Sequence, residues 1–116
     1  MTDAVWIVLS TFGSEDDALR VARALVEERL VACAQIESRP ITSVYRWQGE
    51  VHEDAEVLLR VKTTERSRAA TVERLDALHP YDVPQVVWFQ AFAIAPYAKW
   101  ARQQCDPGTD ASNRSS

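Results

Sequence analysis

At 116 residues, 47% hydrophobic and 26% charged, the chain is long enough for one buried core and too apolar for a disordered segment. Its formal net charge of −4, with basic residues scattered among acids, argues against a nucleic-acid partner, which calls for a basic stripe. No apolar run approaches the roughly 20 residues that cross a bilayer, and the first ten residues lack a basic leader, so the expectation is a cytoplasmic protein without a membrane partner.

Val5-Trp6-Ile7-Val8-Leu9 is a continuous apolar run, as in a strand buried on both faces. Phe12-Gly13-Ser14 breaks it, and Ser14 is a good N-cap, with Glu15, Asp16 and Asp17 at the positive end of the helix dipole. Ala18, Val21, Ala22, Leu25 and Val26 keep helical spacing, and Arg29 is expected in the last turn. A second strand is predicted from about Val31 through Ile36, interrupted at Glu37-Ser38-Arg39-Pro40 by a bulge or a short loop and resumed at Ile41.

Ile41, Ser43, Tyr45 and Trp47 share one face of that strand, and Gln48-Gly49-Glu50 supplies a turn in which Gly49 can take positive φ. Val51, Ala55, Val57, Leu59 and Val61 then alternate with His52, Glu56, Leu58, Arg60 and Lys62. A hairpin this long projects beyond a domain of this size, and such an edge has to pair with something.

Thr64-Glu65 opens a second helix with Ala69, Val72, Leu75 and Leu78 as its apolar stripe, ended by His79-Pro80 because proline disfavours helical geometry in the residue before it. Gln85 to Phe92 reads as a strand, and Pro96 to Arg102 as a short helix with proline near its start. Cys105 follows that helix, and Cys33 lies in an apolar strand entry; with no CxxC and no disulfide framework, cysteine usage suits a reducing compartment. Residues 1–105 form a single domain on this reading, and 106–116 a disordered polar tail.

The order strand, helix, strand, strand, helix, strand, helix gives an α+β fold: a ferredoxin-like βαββαβ antiparallel sheet with a long central hairpin and a C-terminal helix. Two helices cover one sheet face. The other face and the hairpin call for the terminal helix or further copies of the chain, which a closed ring of subunits would supply.

No Gly-rich phosphate loop, HExxH or GxSxG is present, so no catalytic residue is assigned and the chain is read as non-enzymatic. His79, at a helix end beside Pro80, Tyr81 and Asp82, is the one metal candidate; the competing reading is an imidazole that meets the last helical carbonyls. His52, just past the turn, reads as solvated. Tyr45, Trp47, Tyr81, Tyr97 and Trp100 form either a cleft wall for a small ligand or interface packing. Glu56 and Lys62, on the polar strand face, form either a charged floor for that cleft or an ordinary surface pair.

Four segments in order resemble one family. Glu28 to Ile36 (ERLVACAQI), Ser43 to Val51 (SVYRWQGEV) followed by Glu56, Leu58, Leu59 and Lys62-Thr63-Thr64, Leu78 to Val86 (LHPYDVPQV), and Tyr97-Ala98-Lys99-Trp100 resemble the signature segments of the CutA divalent-cation tolerance proteins. The resemblance implies a homotrimer whose hairpins pack subunit to subunit. It also implies a role in tolerance of copper and other divalent cations, and intersubunit clefts lined by residues at positions 45, 47, 56, 62, 79, 81 and 100. A divalent cation such as copper is then the implied bound species, with no other cofactor. An alternative is a trimeric sensor or adaptor of the nitrogen-signalling type, taking an anionic metabolite near Lys62. Ser10 and Leu78 stand where family members often carry a metal-ligating Cys and a second His, Gln85 replaces the usual Glu, and Trp88-Phe89-Gln90 replaces an Ala-Leu-Pro.

Overall fold

The computed structural model describes residues 2–105. Seven elements follow one another: β1 (Thr2–Phe12), α1 (Glu15–Glu27), β2 (Cys33–Trp47), β3 (Glu50–Thr63), α2 (Glu65–Leu78), β4 (Val86–Ile94) and α3 (Ala95–Cys105). The strands form one antiparallel sheet in the order β2-β3-β1-β4, so the two longest, β2 and β3, sit at one side as a hairpin. The stretch 106–116, read as a polar tail, lies outside the described residues.

Alternation along β1 decides which side is dry. Val8, Ser10 and Phe12 face α1 and α2 together with Val57, Leu59 and Val61 of β3, and they meet Val21, Leu25 and Leu75 in the main core. Val5 points the other way, against Ala98 and Ala101 of α3 in a second, smaller core. The third helix therefore covers part of the face that two helices leave bare.

Several boundaries differ from the sequence reading for identifiable reasons. β2 begins at Cys33 and runs unbroken to Trp47; Glu37 to Ile41 shifts register against β3 without ending the strand, so the interruption is a bulge. Arg29 is not in a last helical turn. Its φ is 61°, and its guanidinium reaches Gln103 O at 2.7 Å and Gln104 O at 3.1 Å, meeting the carbonyl end of α3. In α2 the buried positions are Ser67, Thr71 and Leu75, whereas Ala69 is exposed. Thr71 is dry because its hydroxyl lies 3.0 Å from Leu30 O and 2.8 Å from Ser67 O, a satisfied polar group that an apolar stripe does not register. α3 continues to Cys105, which is fully buried and not beyond the helix.

The chain measures 55 × 29 × 24 Å, and the long axis reflects the hairpin. Its turn is a two-residue loop with φ of 52° at Gln48 and 85° at Gly49, both left-handed, as the twist-matching hairpin turn requires.

Candidate functional site

Pro80 sets up the site. It holds His79 in extended geometry (φ −72°, ψ 136°), so α2 stops and the imidazole turns inward. The ring stacks on Phe12 with centroids 4.2 Å apart, and Nε2 lies 2.9 Å from Thr11 O. A carbonyl only accepts, so Nε2 carries the proton, and Nδ1 is left to accept the Tyr81 N–H at 3.1 Å. Burial lowers the His79 pKa; the Thr11 carbonyl, Glu56, Asp17 and Asp76 act in the opposite direction. The other end of this loop is tied to β1 as well, since the buried Ser10 hydroxyl donates to Gln85 O at 2.7 Å.

Pinned at both ends, the loop lies beside the hairpin and frames a cleft of roughly 840 Å³. Thr11 and Gly13 come from the end of β1, Ser43, Tyr45 and Trp47 from β2, and Asp54 and Glu56 from β3; Tyr81, Asp82 and Gln85 come from the loop. The Tyr81 hydroxyl donates to Glu56 Oε2 at 2.8 Å, and the Tyr45 hydroxyl donates to Asp54 Oδ2. Burial, then Glu56, pushes the Tyr81 hydroxyl far above its ordinary range, and the hydrogen bond to Asp54 raises Tyr45. Gly13 lies against Tyr81: a Cβ there would sit 3.4 Å from the Tyr81 hydroxyl, in van der Waals contact.

The structure thus gathers Tyr45, Trp47, Glu56 and Tyr81 into one cleft, with His79 behind its wall. Lys62 is not part of it. It lies six residues along β3 from Glu56, about 20 Å at the usual strand rise, and its ammonium bonds Gln35 Oε1. Trp100 is elsewhere too, on α3 against Tyr97 at 5.6 Å. His52 stacks on Tyr45 with centroids 5.6 Å apart. Asp54 and Asp82 line the cleft without having been expected there: the i, i+2 spacing of Asp54 with Glu56 is a signal for the first, whereas Asp82 stands out in the sequence only as a neighbour of His79. Among the described residues, no three His, Cys, Asp or Glu side chains gather as a metal's ligand set.

A family model described as CutA1 divalent ion tolerance protein matches residues 6–104. The divalent-cation tolerance protein CutA of Thermus thermophilus is 50% identical over 101 residues, covering 84% of this chain and 94% of that protein. Human protein CutA is 36% identical over 104 residues, 86% of this chain but only 56% of the human protein. Among solved structures, CutA from Xylella fastidiosa superposes with a TM-score of 0.83 at 34% identity, covering 88% of this chain and 98% of that one. The Thermus thermophilus structure gives 0.76 at 48% identity, covering 86% and 97%.

Proposed function

Because the chain belongs to the CutA1 divalent ion tolerance protein family, we propose that it serves divalent-cation tolerance, copper included, as a non-catalytic homotrimer with a ferredoxin-like subunit. One observation carries the assembly: two separate parts of the chain expose apolar side chains. Val44 and Val51 near the hairpin tip are 63% and 62% exposed, and Phe92 and Ile94 on β4 are 82% and 65% exposed. Hairpin against β4, repeated around a three-fold axis, covers both without leaving an open edge. Light scattering on the purified protein is expected to give three times the 13.1 kDa chain mass. A stable monomer at micromolar concentration would falsify the assembly.

Direct cation contact on this proposal is weak, with His79 its imidazole. For that ring to ligate, Nδ1 must release the Tyr81 N–H, or the tautomer must change so that Nε2 loses its proton and its bond to Thr11 O, so binding is linked to rearrangement of the loop. Calorimetry with Cu²⁺ on the native protein and on His79→Ala checks it; equal affinity in both removes the site. Cytoplasmic residence belongs to the same proposal and rests on cysteine usage; no helix among the described residues is long and apolar enough to cross a membrane.

The cleft favours a second reading, in which the protein binds a small molecule and reports it to a partner. The cleft's volume and its mix of aromatic and polar lining are those of small-ligand sites. The version with an anionic metabolite held near Lys62 gains nothing from this geometry, since Lys62 stands apart from the cleft.

A further inference from the structure

Resting on the reading that this cleft takes a small molecule, we propose that it is an organic-cation site, selective for flexible alkylammonium ligands over metal ions and anions. The lining carries three carboxylates, Asp54, Glu56 and Asp82, and three aromatic rings, Tyr45, Trp47 and Tyr81, with no Lys, Arg or His among them. Aromatic faces and carboxylates attract the same species, a cation whose charge is borne on an apolar body.

Glu56 gives the site its depth. It is 9% exposed; Oε2 accepts from Tyr81, and Oε1, with no hydrogen bond among the described residues, is open to the cleft's solvent. A carboxylate mostly shielded by protein, with one oxygen open to the cleft, attracts a cation there more strongly than a fully hydrated surface carboxylate does. The two tyrosine hydroxyls spend their protons on Glu56 and Asp54, which orients the carboxylates and leaves the rings as walls. Both hydroxyls are held above their ordinary range partly by those same carboxylates, so the field in the cleft is negative and repels anions.

A bare metal ion is the poorer match. Asp54 and Glu56 lie on one face of β3 about 6.6 Å apart along the strand, and no three potential ligands converge among the described residues. That spacing is one a short diamine bridges, placing one ammonium at each carboxylate and its methylenes against the rings. A volume of roughly 840 Å³ leaves room for it.

Isothermal calorimetry with putrescine, a four-carbon diamine, at fixed ionic strength tests the proposal, with Mg²⁺ and citrate as comparators. Putrescine binding is expected in the native protein, weakened at least tenfold in Glu56→Gln, which can still accept from Tyr81, and in Asp54→Asn on the exposed ribbon. Absent putrescine binding, undiminished binding in both variants, or Mg²⁺ displacing the amine at equal concentration overturns it. Citrate binding in place of putrescine overturns the cation assignment while leaving a small-molecule cleft, and no binding by either removes both. Light scattering on the variants separates the site from assembly: amine binding lost at native mass concerns the cleft. Should Glu56→Gln alter the mass, Asp54→Asn decides.

Discussion

The hairpin is one ribbon with two environments. At its root Val57, Leu59 and Val61 are 6%, 0% and 0% exposed, packed under α1 and α2. Toward its tip Val44 and Val51 lie on the same face and are 63% and 62% exposed, because no helix reaches that far. The alternation is the same in both halves. Period two therefore specifies which side of a strand is apolar, and only the layer stacked on it specifies whether that side is dry.

The largest expected effect separates the halves directly. Leu59→Ala removes a fully buried side chain from the main core and is expected to cost about 2–5 kcal/mol, measured by urea unfolding. Val51→Ala at the tip is expected to cost about 1 kcal/mol, because in the proposed trimer a neighbouring copy covers a side chain that the single chain leaves 62% exposed. A loss within about 0.5 kcal/mol would mean that the tip is bare in solution and would count against that assembly.

A smaller effect tests the junction between root and tip, where Glu56 and the His79 loop meet. The His79 pKa is lowered in the folded chain, chiefly by burial, so the unfolded state takes up its proton first as pH falls. The contribution is therefore fully present above the unfolded value near 6.5 and declines as pH drops from there through the depressed folded value. Protonating Nδ1 also ends its role as acceptor for the Tyr81 N–H, the bond that holds Tyr81 in place to donate to Glu56. Unfolding free energies measured between pH 8 and pH 5 are expected to fall in the native chain and to fall less in His79→Gln. Equal slopes would mean that the imidazole titrates freely and that the loop is not pinned as described.

Much of this was legible in the residues. Ser14 and Thr64 announce their helices because a hydroxyl before an acidic residue satisfies an orphan N–H, and each accepts from the N–H three residues on, Asp17 and Ser67. Pro80 fixes the end of α2 through local sterics alone. What escaped are features created by contact between distant segments. Thr71 is buried because Leu30 O meets it across the core, and Arg29 leaves its helix to reach α3, neither of which has a local signature. The cleft divides the same way: Tyr45, Trp47 and Glu56 share a ribbon and could be grouped from spacing, whereas Lys62, on the same face of β3, stands too far along the strand to join them within one chain. Asp82 joined them through a loop path that no periodicity encodes.

The smallest effects lie at the tip itself, where backbone geometry can be separated from packing. Gly49 has φ of 85° and nothing within 4 Å of where a Cβ would stand, so Gly49→Ala introduces strain without a clash. The expected cost is about 1 kcal/mol. Gln48 occupies φ of 52° with an ordinary side chain, so Gln48→Asn is expected to stabilise by a few tenths of a kcal/mol, because asparagine tolerates the left-handed region better. Thermal unfolding of both variants reads the two signs together. Their value is as a control on the comparison: a strained turn costs the same whether or not the ribbon is covered, but an added methyl meets resistance only where something presses on it. A Gly49→Ala loss well beyond about 1 kcal/mol, with Gln48→Asn still mildly stabilising, would therefore locate a neighbour against the tip, since backbone strain alone cannot supply the excess.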